Sequence, residues 1–139
     1  MDATTTVWQH PTIGDVKGIE DDGVVQFRGL QYGVLENWLA NATLPKYNKN
    51  DLDATQFGPN ALQAPGGLEV EQQIIQAALP RPTDPGSSRA TANSDLPVLV
   101  FIHGGGFFTG ANWWPQYDTR RLVRLSVAQG RPLIVANIK

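Results

Sequence analysis

Cysteine is absent from the 139 residues, and there are only two histidines, His10 and His103, and a single methionine. The lack of cysteine excludes a disulfide scaffold, Cys-bound zinc, an iron–sulfur cluster and a thiol nucleophile. Two histidines make a His-rich metal site improbable, so neither a metal nor an organic cofactor is expected. Charge is sparse as well. Charged residues make up 17% of the chain, and 11 Lys+Arg against 13 Asp+Glu leave a net charge of −2. That balance offers no electrostatic footprint for nucleic acid. No apolar run approaches the roughly 18 residues of a membrane helix. The first 15 residues lack the basic-then-apolar pattern of a secretory leader, which together with the missing cysteines favours a cytoplasmic location. Asn41-Ala42-Thr43 fits the N-glycosylation tripeptide, a match that matters only in an exported protein.

What is present suits a single ordinary domain. A hydrophobic content of 41% can build a core, and a chain of this size buries about two-thirds of its unfolded surface. Residues 1–67 are rich in glycine and asparagine, with short strand-like pieces. Val24 to Leu30 is β-branched and aromatic between Gly23 and Gly33, and reads as a strand or hairpin arm. Leu68 to Leu79 reads as a helix stopped by Pro80, with Val70, Ile74, Ala77 and Ala78 on one face. Residues 81–97 hold Pro82, Pro85, Gly86, Ser87, Ser88 and Ser94. With almost nothing apolar to bury, they read as a flexible linker.

The last third is the most structured. Val98 to Ile102 is apolar without alternation, which predicts a strand covered on both faces. Leu133 to Ala136 is a second such run. Between them Asp118 is placed to cap a helix running to about Gln129, with Gly130 as its stop. In that helix Arg120, Arg121 and Arg124 crowd one side, with Leu122, Val123 and Leu125 mostly opposite. Strand, helix and strand over this distance predict a right-handed βαβ unit with parallel pairing, hence an α/β protein.

His103-Gly104-Gly105-Gly106 follows the first buried run without a gap. Three glycines remove every Cβ and let backbone amides approach a bound anion, either a phosphate or the oxyanion of an acyl-transfer intermediate. Spacing argues against phosphate. Thr109 stands where a dinucleotide fingerprint needs glycine, and Ala111-Asn112 stand where a P-loop needs Lys and Ser or Thr. A glycine-rich turn with no ligand is the plain structural alternative. A strand followed by His-Gly-Gly-Gly also fits the oxyanion loop of α/β-hydrolases.

Ordered blocks extend this match. Phe27-Arg28-Gly29-Leu30-Gln31-Tyr32-Gly33, then Asp53-Ala54-Thr55-Gln56-Phe57-Gly58-Pro59, then Leu96 to Gly110, then Tyr117-Asp118 and finally Leu133 to Ile138 resemble successive motifs of the type B carboxylesterase and lipase family. The resemblance covers most of the chain outside residues 60–95. It implies an incomplete α/β-hydrolase fold, the N-terminal strands plus one βαβ unit, with residues 1–139 forming part of one domain. It implies that Gly105 and Gly106 donate two oxyanion hydrogen bonds, and that His103 belongs to the oxyanion loop rather than serving as the catalytic base. Phe107, Phe108 and Trp113, with Trp114, are candidates to wall a substrate pocket, or else they pack the loop. The partner implied is a small carboxylic ester; no oligomeric state can be read.

The chain departs from the family in what it omits. Ser87, Ser88, Ser94 and Ser126 are its only serines, and none has glycine on both sides at the spacing of the nucleophile elbow. His10, before Pro11 in a polar leader, reads as a surface residue. Ala61-Leu62-Gln63 stands where the family has Cys-Pro-Gln, and the later Glu-Asp-Cys-Leu strand is not recognisable. The expectation is part of an ester hydrolase, inactive alone, arising from a truncated gene product rather than a dedicated small protein. A non-catalytic binding or adhesion protein of the same fold and a remnant without stable function are the alternatives.

Overall fold

The computed structural model describes residues 3–47, 52–59, 65–78, 95–106 and 109–138. Two compact units divide the chain, Met1–Pro59 and Asn60–Lys139.

The first unit is a small sheet of β1 (Thr4–His10), β2 (Gly14–Asp21), β3 (Val24–Gln26) and β4 (Leu52–Asp53). β1 and β2 pair antiparallel from Thr4 opposite Glu20 to His10 opposite Gly14. The leader expected to be merely polar therefore begins as a strand. His10 is half-buried and closes this hairpin: its Nδ1 accepts the N–H groups of Thr12 and Ile13, each at 3.1 Å. β2 turns into β3 through Asp22-Gly23, both at positive φ (53° and 76°), as a two-residue type I′ hairpin requires. β4 joins β2 in parallel. Val16, Val24 and Ala54 form the buried centre. A Cβ on Gly18 would stand 2.8 Å from the Phe27 ring, so glycine there lets Phe27 lie on the sheet.

The strand expected over Val24–Leu30 ends early, at Gln26. Beyond it the Arg28 N–H donates to the Ala54 carbonyl at 2.7 Å, and Gly29 adopts φ 65°. The chain leaves the β2 ladder there. The Arg28 guanidinium lies 4.5 Å from the centre of the Phe57 ring.

The second unit contains α1 (Gly67–Ala78), β5 (Val98–Ile102), α2 (Arg120–Ala128) and β6 (Ile134–Ile138), with a single 3₁₀ turn over Pro115–Tyr117. β5 and β6 run parallel, from Val98 opposite Ile134 to Ile102 opposite Ile138, with α2 in the connection between them. The expected βαβ order is present. The linker expected over residues 81–97 lies outside the described residues except for Asp95–Pro97.

The expected covering of β5 needs correction. β5 is not covered on both faces: Val98, Leu99, Val100 and Ile102 are all exposed, Ile102 to 70%. The faces of a parallel strand are covered by elements packed on the sheet, and edge pairing with β6, its partner among the described residues, leaves them open. The apolar stripe of α1 is likewise open at Val70 and Ile74. In α2, Arg124 and Ser126 are buried while Leu122 and Leu125 face solvent. Periodicity locates a stripe but does not say whether another element lies against it.

Both ends of α2 follow from specific bonds. Thr119, not Asp118, occupies the cap position, but the Asp118 carboxylate accepts the Arg120 N–H at 3.1 Å and grips the Arg120 guanidinium through both oxygens. At the other end Gly130 takes φ 68°, its N–H donates to the Val127 carbonyl and that of Arg131 to the Ser126 carbonyl, both at 2.9 Å. This pair of bonds is a Schellman stop, which needs the left-handed residue.

Candidate functional site

β5 delivers the chain directly into His103-Gly104-Gly105-Gly106. Gly105 and Gly106 both lie at positive φ, 127° and 60°, where a side chain is strained. At Gly105 a Cβ would also overlap the Thr109 carbonyl, while the Thr109 N–H donates back to the Gly105 carbonyl at 3.2 Å. Among the described residues, nothing stands within 4 Å of a Cβ placed on Gly104 or Gly106. Among the described residues, neither the Gly105 nor the Gly106 N–H donates to a backbone acceptor.

His103 holds this bend. Its Nδ1 lies 2.8 Å from the Gly104 carbonyl oxygen; since a carbonyl only accepts, Nδ1 carries the proton and donates. A Cβ on Gly110 would strike both the Gly104 oxygen and the His103 ring, so glycine at 110 leaves room for the bond.

An aromatic group lies behind the loop. Tyr117 sits 6.2 Å from the His103 ring at 25°, 6.3 Å from Trp114 at 5°, and 5.6 Å from Phe101. Its hydroxyl donates to Glu71 of α1 at 2.7 Å, and the Gln116 side-chain amide donates to the same carboxylate oxygen at 3.3 Å. Burial, reinforced by the hydrogen bond and charge of Glu71, pushes the Tyr117 phenol up to about 12. Asp118 next to it moves the other way. Burial raises its carboxyl, but the hydrogen bonds and charge of Arg120 more than offset this and hold it below the ordinary carboxylate value.

Of the pocket candidates, Phe107 and Phe108 lie outside the described residues. Trp113 lines a cleft of about 270 Å³ with residues 65–69 and Trp114, a lining that includes neither Gly105 nor Gly106. Trp114 is 2% exposed and stacks on Tyr117, so it packs the loop. Ser126 is buried, and both capacities of its hydroxyl are used: it donates to the Val123 carbonyl at 2.7 Å and accepts the Leu133 N–H at 3.2 Å. The other three serines lie outside the described residues. A reciprocal amide pair, Asn112 to the Asn137 carbonyl at 3.2 Å and Asn137 to the Asn112 carbonyl at 3.4 Å, ties the loop to β6. Among the described residues no group of three His, Asp or Glu could hold a metal ion, and no helix is long and apolar enough to cross a membrane.

The Glu71–Tyr117 bond escaped sequence reasoning. The partners are 46 positions apart, and α1 offers only an apolar stripe as its local signal.

No family model matches the chain. Individual proteins do. It is 32% identical over 130 residues to a para-nitrobenzyl esterase of Bacillus subtilis, covering 88% of this chain and 25% of that protein. It is 33% identical over 129 residues to a phenmedipham hydrolase of Pseudarthrobacter oxydans, covering 83% and 25%. A lipase of Yarrowia lipolytica is 27% identical over 128 residues, covering 87% and 26%. The structure superposes on a solved PNB esterase with a TM-score of 0.64 and 30% identity, covering 95% of this chain and 27% of the other. The chain is related to the type B carboxylesterases and lipases. It spans about a quarter of the length of these type B relatives, which are carboxylic ester hydrolases, and its α/β architecture is similar to part of an esterase.

Proposed function

We propose that the chain supplies the oxyanion-binding loop of a type B carboxylic ester hydrolase, with Gly105 and Gly106 as two of the donors. The observation that carries this reading is the pair of consecutive positive-φ glycines directly after β5, whose N–H groups have no backbone acceptor among the described residues. Amides set before the charge develops need no reorganisation when a serine attacks the ester carbonyl, and each is worth about 3–4 kcal/mol at the transition state. Phe107, Phe108 and Trp113 are proposed to border the acyl or alcohol group of a small carboxylic ester. The nucleophile, acid and base are not among these 139 residues, so the chain alone is inactive.

Exposed β5 and the open stripe of α2 support the finer fold reading. Residues 1–139 are then the N-terminal strands and one βαβ unit of a single α/β-hydrolase domain whose remaining elements cover those faces.

Short-chain p-nitrophenyl esters test the function. Residues 1–139 give no hydrolysis above buffer, whereas a longer product carrying Gly-x-Ser-x-Gly gives saturable turnover that Gly105→Ala lowers by about 10²-fold or more. A longer product that has the elbow and shows no hydrolysis overturns the proposal and favours a non-catalytic binding protein.

A further inference from the structure

One peptide plane connects the histidine to the proposed donor. The Gly104 carbonyl and the Gly105 N–H belong to the same planar peptide, which is trans, so they point in opposite directions. Whatever fixes the Gly104 oxygen fixes the direction of the Gly105 N–H. His103 Nδ1 does the former at 2.8 Å. An imidazole on a single bond to Cβ can still swing, so its ring needs a support of its own.

The geometry points to Tyr117 as that support, aimed in turn by Glu71: Tyr117 is a positioning residue for the oxyanion loop. Its ring lies against the His103 ring at 6.2 Å and 25°, within the range where aromatic pairs attract. Two further contacts keep the Tyr117 ring from rotating away, and a third holds its backbone. Trp114 stacks nearly parallel to it, its hydroxyl donates to Glu71 at 2.7 Å, and Asn137 on β6 donates to its carbonyl at 3.5 Å. Gln116 shares the Glu71 oxygen at 3.3 Å, so the carboxylate is held on the 3₁₀ turn by two neighbouring residues. The relay runs from α1 through Glu71, Tyr117 and His103 to the Gly104–Gly105 peptide. It deepens the ester-hydrolase reading and rests on it for the use made of the Gly105 N–H.

The test needs no turnover. Backbone ¹⁵N relaxation of the full 139-residue chain gives an order parameter at Gly105, with Gly130 at the end of α2 as a folding control in the same unit, and the His103 ring protons report the stack. The unaltered chain shows Gly105 near the rigid value of about 0.85, and Tyr117→Leu takes it below about 0.6 while the His103 ring protons lose their ring-current shift. Tyr117→Phe keeps the ring and restores most of both signals. Glu71→Leu gives the same intermediate values as Tyr117→Phe, and the double variant is no worse than either.

A Gly105 order parameter unchanged in Tyr117→Leu, with Gly130 native, overturns the proposal, as does one already below about 0.6 in the unaltered chain. If Tyr117→Leu abolishes the native Gly130 signal, Tyr117→Phe and Glu71→Leu decide, and unchanged Gly105 and His103 signals in both overturn it. None of these outcomes touches the ester reading, which fails separately on the turnover of the longer product.

Discussion

The Tyr117 hydroxyl donates to Glu71 at 2.7 Å, fastening the turn before α2 to α1. Burial and this bond both favour the neutral phenol, which moves its titration from 10.0 to about 12. A raised folded value means stability fully present below the unfolded value, shrinking as pH climbs between about 10 and 12. Absorbance titration shows the Tyr117 step near 12. Tyr117→Phe removes that step and flattens the alkaline limb of the stability curve.

Asp118 governs the acid side. Its folded value lies below the ordinary 3.8, so the stability it confers is complete above that value and disappears as pH falls through the folded one. Its side chain and that of Arg120 are both about a third exposed, and exposed ion pairs contribute at most about 1 kcal/mol. Asp118→Asn lowers stability at neutral pH by no more than this, and urea midpoints of the variant and the parent converge below pH 3.8.

Gly105 and Gly106 differ in what alanine meets. At 106 no described residue meets the methyl and the left-handed backbone is what is penalised, about 1–2 kcal/mol. At 105 the methyl also overlaps the Thr109 carbonyl. Gly105→Ala therefore lowers the denaturation midpoint further than Gly106→Ala, and equal midpoints would contradict the loop geometry.

Ser126→Ala leaves the Leu133 N–H without its acceptor at the turn from α2 into β6, a loss of about 1–3 kcal/mol. In a longer active product the same substitution leaves the rate per folded molecule unchanged. A fall in kcat at full folding would place Ser126 among the reacting groups.

The legible parts of this molecule were those whose signals are local. Val98–Ile102, the triple glycine, the helix ending at Gly130 and the run after Leu133 each declare themselves within a few residues, and the structure has β5, the bend, α2 and β6 in that order. β1 was missed because Thr4–His10 is polar and mostly exposed; it is held by its ladder to β2 and by the His10 turn rather than by an apolar face. The two sides of α2 are legible in the sequence, but which of them is covered is not: Leu122 and Leu125 are exposed while Arg124 is buried. At the site, the glycines were found from their bend chemistry. The support behind them was not, because a bond between Glu71 and Tyr117 leaves no periodic trace.

Val98, Val100 and Ile102 are exposed on a strand whose second flank is unpaired among the described residues. Such a strand is a template for its own kind, because backbone groups along the flank accept any extended segment and the valines and isoleucine then exclude solvent between sheets. The expected consequence is a concentration ceiling, read as thioflavin fluorescence that stays flat in dilute samples and rises in concentrated ones. A lysine in place of Val100 raises that ceiling without touching the glycine bend.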